Sequence, residues 1–186
     1  MRKMKWSWAA LVAMLCLSTN AAQATLKVGD AAPNFSLPAA LGGKEFDFSL
    51  TRALEKGPVV LYFYPKSFTR GCTIEAHEFA DHQDDFAAAG ASVLGVSSDP
   101  IDVQKEFSSK ECRDKFPVGA DPSLSTIKAY DARRDKPIAS GAEVADRISY
   151  VIADGKIVFA LVDTNPVNHV QSALEFVRHW KSEHSH

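Results

Sequence analysis

With 46% apolar and 24% charged side chains, the 186-residue chain can bury a proper core, and it contains no repeats, linkers or low-complexity tracts. Its formal net charge of −2, more acidic still once Arg2, Lys3 and Lys5 are discounted, makes nucleic acid a poor partner.

Residues 1–24 read as a cleaved targeting segment. Arg2, Lys3 and Lys5 form a positive n-region, Trp6 to Leu17 an apolar stretch too short to span a bilayer, and Ala22-Gln23-Ala24 an A-x-A cleavage site. The expectation is export, into a bacterial periplasm, of a single domain covering residues 25–186 with no further membrane contact. A membrane anchor or buried first helix is the alternative, against which no stop-transfer run follows. Leu15 before Cys16 is the wrong residue for a lipoprotein, so Cys16 leaves with the leader and only Cys72 and Cys112 remain.

Phe35/Leu37 and Phe46/Phe48 alternate with polar residues around Gly42-Gly43, which predicts a small N-terminal hairpin laid over the main body. Val59 to Tyr64 is a continuous apolar run with the length of a buried strand, stopped by Pro65. Gly71 lets the backbone bend, and Cys72 to about Ala89, without internal Gly or Pro, reads as one helix. Ser92 to Ser97 is a second buried strand, parallel to the first, ended by Asp99-Pro100. Ile101, Gln104 and Phe107 place a helix over about 101–110; Phe116-Pro117-Val118 reads as an edge-like strand, and Ser123 to Tyr130 as a short helix. A loop spans 133–145. Strands at 147–152 and 156–162 flank Asp154-Gly155, an antiparallel hairpin signal, and a final helix runs from about Val167 to His179, with His184 and His186 in a polar, disordered tail. The order implies an α/β protein with one mixed central sheet, helices on both faces and the hairpin as an N-terminal extension, which is the layout of a thioredoxin-like fold.

Cys72 is the chemical focus. At a helix N-terminus the unpaired amides and the helix dipole favour an anion, so a thiol there is stabilised as thiolate. Cys72, His77 and His82 recur every five residues and cannot share a helix face, which argues against a zinc site. The absence of C-x-x-C argues against a dithiol exchanger.

Pro65-x3-Thr69-x2-Cys72, following an apolar strand and opening a helix, resembles the active-site signature of the peroxiredoxins, the alkyl hydroperoxide reductase C and thiol-specific antioxidant family. Tyr62-Phe63-Tyr64-Pro65-Lys66 through Gly71-Cys72-Thr73 is most similar to the bacterioferritin-comigratory, or Q-type, branch. Asp30-x-Ala32-Pro33-x-Phe35, Val93-Leu94-Gly95-Val96-Ser97 and Arg147-Ile148-Ser149-Tyr150-Val151-Ile152 extend the resemblance along the chain. It implies a peroxidase that reduces hydrogen peroxide or small organic hydroperoxides without metal, haem or flavin. A thioredoxin-like or other thiol reductant would be its partner, and the branch leans towards monomers, with a dimer the alternative.

The residues fit that chemistry. Cleaving a peroxide needs a nucleophile on one oxygen, donors for both, and exclusion of water. Cys72 supplies the nucleophile, Thr69 a hydroxyl one turn upstream and Pro65 a rigid wall; plain roles as helix N-cap and strand terminator stay open for the latter two. The resemblance makes Arg147 the cation that approaches the sulfur, against a surface arginine paired with Asp146; Lys66 and Arg70 are at best steering charges. Many Q-type relatives carry a resolving cysteine five residues after the first, where this chain has His77. Cys112 is the remaining candidate resolving thiol, and the polar Ser108-Ser109-Lys110-Glu111 run before it predicts loose packing there. The rival readings are a non-catalytic exported domain stapled by a Cys72–Cys112 disulfide, and a thiol redox sensor.

Overall fold

A computed structural model describes residues 25–184; the expected targeting segment and His186 lie outside them. The chain opens with strands β1 (Ser36–Leu41) and β2 (Lys44–Ser49) and a short helix α1 (Leu50–Leu54). Strand β3 (Val59–Phe63) leads through a loop into α2 (Arg70–Asp81) and α3 (Gln83–Ala88), and β4 (Ser92–Ser97) follows. Helix α4 (Ile101–Lys110), strand β5 (Val118–Ala120) and helix α5 (Ser125–Ala129) come next. Strands β6 (Ile148–Ala153) and β7 (Lys156–Val162) and the long helix α6 (Pro166–His184) complete the chain.

These strands form one seven-stranded mixed sheet, ordered β2-β1-β5-β4-β3-β6-β7. The β3/β4 and β4/β5 pairs are parallel and the others antiparallel, as the predicted β-α-β unit and the Asp154-Gly155 hairpin require. All five residues of β3 are buried because both faces of the sheet are covered. Val60, Tyr62 and Tyr64 enter an apolar cluster with Phe79 of α2, Phe107 of α4 and Val170 and Val177 of α6. Val59, Leu61 and Phe63 enter the opposite cluster with Leu50 of α1 and Ile127 of α5. The period-2 alternation of one strand thus feeds two cores.

Several expectations are corrected. The hairpin is not laid over the body: Ala39 and Ala40 of β1 pair with Gly119 and Val118 of β5, so it extends the sheet itself. That pairing makes β5 an interior strand rather than an edge, with Pro117 just outside it, where its missing N–H interrupts no ladder. The helix predicted over 72–89 divides at His82, whose backbone (φ −103, ψ 9) is not helical. Helix α1 was not anticipated; Ser49 caps it by accepting from the Arg52 amide. His184 belongs to α6, its ring stacked on Trp180 at 3.9 Å between centroids.

Tyr62 couples the sheet to α2. Its ring stacks on Phe79 at a centroid distance of 4.4 Å and lies over Gly95, its partner across the β3/β4 ladder. A Cβ on Gly95 would stand 2.6 Å from Tyr62 Cζ, with the stacked Phe79 blocking the ring's retreat. Gly95→Ala is therefore expected to destabilise the fold by about 1–3 kcal/mol. Urea unfolding checks this, and an unchanged midpoint would show that the ring has room to move.

Candidate active site

The site is assembled where β3 ends. Pro65, half-buried, closes the strand, and residues 65–69 form a loop held from below by a buried polar network. The Ser67 amide donates to Asp99 Oδ2 at 2.7 Å, and Ser97 Oγ donates to the same oxygen at 2.9 Å. Gln104, fully buried on α4, accepts from the Tyr64 hydroxyl at 2.7 Å and donates to Ser97 Oγ at 2.8 Å and to the Gly119 carbonyl at 3.0 Å. Each of these groups would be costly to bury unpaired, so together they fix the loop relative to β4, β5 and α4. Lys66 makes a 3.7 Å ion pair with Asp99 and Arg70 is exposed, so neither points a cation into the site.

Cys72 is the third residue of α2 and only 2% exposed. Arg147 reaches it from across the sheet. The antiparallel β3/β6 register sets Ile148 opposite Phe63, so the residue before Ile148 lies beside the end of β3, where α2 begins. Its Nη2 donates to Cys72 Sγ at 3.5 Å, and its Nη1 donates to Glu75 Oε2. Asp146, the alternative partner, accepts only from the Arg147 backbone amide. Gly71 has a reason other than backbone bending: a Cβ there would stand 3.1 Å from Arg147 Nη2, so the missing side chain makes room for the guanidinium.

Glu75, one helical turn after Cys72, is fully buried, and its Oε1 has no partner. Burial pushes its carboxyl up to about 8, against the opposing pull of Arg147. Burial acts to lower Arg147, but Glu75 and then Cys72 raise it further than burial lowers it, so the cation stays charged. Sequence reading missed Glu75; its signal is an acid on the same helix face as Cys72, one turn on.

The other expected residues divide. Thr69 sits at the N-cap position without a side-chain cap bond, its hydroxyl donating to the Lys66 carbonyl at 2.8 Å. Phe68 beside it is in left-handed backbone (φ 63), with its ring edge-on to Phe107. Cys112 contradicts the expected loose packing: it is fully buried in the same apolar cluster as Cys72, and both are free thiols. Burial first, then Glu111 and Asp114, raise its thiol well above the ordinary range. The Tyr62 hydroxyl, buried without a partner, is likewise raised by burial and then by Cys112, Tyr64, Glu75 and Cys72. A cavity of about 370 Å³ among Phe46, Phe48, Arg52, Val93 and Pro117 includes none of the Cys72–Arg147–Glu75 group. Among the described residues no group of His, Cys, Asp and Glu could hold a metal ion.

Residues 28–160 match the AhpC/TSA family. The chain is 34% identical over 164 residues to peroxiredoxin Bcp of Escherichia coli, an alignment covering 86% of this chain and 98% of that protein. Its structure is similar to that of peroxidoxin BcpB from Mycobacterium tuberculosis, with a TM-score of 0.73, 30% identity and coverage of 83% of this chain and 97% of that one. It is also similar to a mutant of PrxQ from Xylella fastidiosa, with a TM-score of 0.74, 25% identity and coverage of 84% and 98%.

Glu75 should leave a mark on stability against pH. The folded chain holds its proton up to about 8, whereas an unfolded chain releases it near the ordinary value of 4.5. The native state therefore binds more protons in that window, and the contribution, complete below about 4.5, is lost as pH rises through about 8. Glu75→Gln removes this titration, so the melting-temperature advantage of the natural protein over the variant should shrink from pH 5 to pH 8. Parallel melting curves across that range would show that Glu75 does not titrate there.

Proposed function

The chain belongs to the AhpC/TSA family and is a thiol peroxidase, and from that premise we propose that Cys72 is its peroxidatic cysteine and Cys112 its resolving one. The observation that carries the first assignment is the Arg147 guanidinium, held by buried Glu75 with one donor on Cys72 Sγ. A hydroperoxide, hydrogen peroxide or a small organic one, enters from the loop side. The Cys72 thiolate attacks its terminal oxygen: the S–O bond forms, the O–O bond breaks, and its electron pair leaves on the second oxygen, which takes a proton and departs as water or alcohol. Arg147 presents its donors where that charge develops, and Pro65 and the Thr69 hydroxyl flank the approach.

The sulfenic acid left on Cys72 is then attacked by Cys112. The S–S bond forms, the S–O bond breaks, and the hydroxyl leaves as water with the Cys112 proton. An external dithiol of the thioredoxin class, or two equivalents of another thiol, returns the disulfide to two thiols and is itself oxidised to a disulfide. Burial of both cysteines in one cluster supports the pairing, and burial of Cys112 requires that it first be freed. Export to an oxidising compartment is part of the proposal and rests on the leader pattern of residues 1–24. A monomer is the proposed working unit, on the lean of the Q-type branch.

Two variants and one mass measurement test the reading. Cys72→Ser should abolish turnover with a dithiol reductant while leaving the fold intact. Arg147→Lys, a point charge in place of a fork, should slow the peroxide step roughly ten- to a hundredfold. One equivalent of peroxide should cost the reduced protein two hydrogens, provided Cys112 is present. A gain of one or two oxygens, with no dependence on Cys112, would replace this scheme by a single-cysteine mechanism.

A further inference from the structure

Cys112 is flanked by two charged residues, and both reach back to α2, the helix that carries Cys72. Glu111 Oε2 is 2.8 Å from His77 Nε2, and Arg113 Nη1 is 2.5 Å from Asp81 Oδ1. His77 and Asp81 are four residues apart on α2 and so share one face. From the other side the β1–β2 turn closes on the same segment. The Gly43 amide donates to Ser108 Oγ at 3.0 Å, and Gly42 is close enough to Asp114 that a Cβ there would stand 3.2 Å from its Oδ1.

Between these attachments the backbone turns through two left-handed residues. Arg113 and Asp114 have φ of 52° and 58°, left-handed values that cost any residue with a Cβ. Two consecutive residues of this kind persist only where the surroundings over-determine them. The carboxylate of Asp81 is part of such surroundings, since it holds Arg113, and the ring of His77 holds Glu111, the other neighbour of the buried thiol.

We infer that His77 and Asp81 are positioning residues for the resolving step: their pairs with Glu111 and Arg113 form a clamp that keeps Cys112 packed while Cys72 reacts with peroxide, and its opening limits disulfide formation. The inference rests on the resolving role given to Cys112. Moving Cys112 to the Cys72 sulfenic acid breaks both pairs and relaxes the left-handed residues, so the strain offsets part of the opening cost. Among the described residues the hydrogen bonds and ion pairs of the clamp include neither Cys72 nor Arg147, so the first step should be independent of it.

The test separates the two steps in a single turnover. Full-length reduced protein is mixed with one equivalent of hydrogen peroxide and quenched in acid at intervals. Residual peroxide reports the first step, and the two-hydrogen loss in intact mass reports the second. His77→Ala and Asp81→Ala should each speed the second step about two- to fivefold, the range that a partly exposed ion pair supplies, and the double variant should multiply the two gains. The first step should keep its rate. His77→Gln, which can still hydrogen-bond Glu111, should return the second step towards the natural rate, which separates the lost contact from general loosening of α2. A second step that is unchanged or slower in both alanine variants overturns the clamp while leaving the Cys112 role intact. Absence of any two-hydrogen loss in the natural protein overturns both.

Discussion

The site depends on keeping one guanidinium charged and dry. Removing a cation from water costs several kcal/mol, and Arg147, with its side chain 12% exposed, is sustained by Glu75 on one donor and Cys72 on another. The sheet register delivers the arginine, the first turns of α2 deliver the thiol and the carboxyl, and Gly71 removes the Cβ that would keep them apart. None of these elements holds the cation alone. A charge fixed before the reaction starts needs no reorganisation when the peroxide bond breaks, and it is then worth most to the transition state.

The polar network beneath the loop serves the same end from the other side. Asp99 on the Ser67 amide and Gln104 on Tyr64 tie the loop to β4 and to α4, so the Pro65–Thr69 arc is a rigid extension of the sheet. Precision in the site therefore comes from strands and buried hydrogen bonds, with the loop borrowing their stiffness. His169 does comparable work on the same face of the sheet, joining Ser149 of β6 to the Asp163 carbonyl beside α6.

What could be read from the sequence follows from how local its causes are. The apolar run of β3, the break at Pro65, the helix carrying Cys72 and the Asp154-Gly155 hairpin announce themselves within a few residues, and they fix the class of fold. The interior place of β5 was hidden because Pro117 is an edge signal, and only the pairing of distant Ala39 and Ala40 shows that the proline lies outside the strand. Glu75 was hidden because an acid on a helix is ordinarily solvated, and its burial is visible only once a residue 72 positions away is brought beside it. The Ser108–Glu111 run misled for the same reason. Ser108 is buried with its hydroxyl donating to the Lys105 carbonyl and accepting from Gly43, so its polarity marks satisfied bonds, while Ser109 and Lys110 are exposed without loosening the buried Cys112 that follows.

The two thiols are thereby placed in opposite electrostatic surroundings within one apolar cluster. Cys72 faces a cation; Cys112 faces hydrocarbon, with Glu111 and Asp114 adding to the burial that disfavours its thiolate. A thiol held in that state is a poor nucleophile where it sits, because the reacting species is the anion. In the proposed scheme release into water therefore comes before attack, and whatever holds the segment closed governs the order of events. Under the proposed resolving role of Cys112, burial separates the two steps: the peroxide meets the thiol beside the arginine, and the second thiol becomes competent after local opening. The cost of that order is a sulfenic acid that must wait, shielded by the same packed pocket that made it.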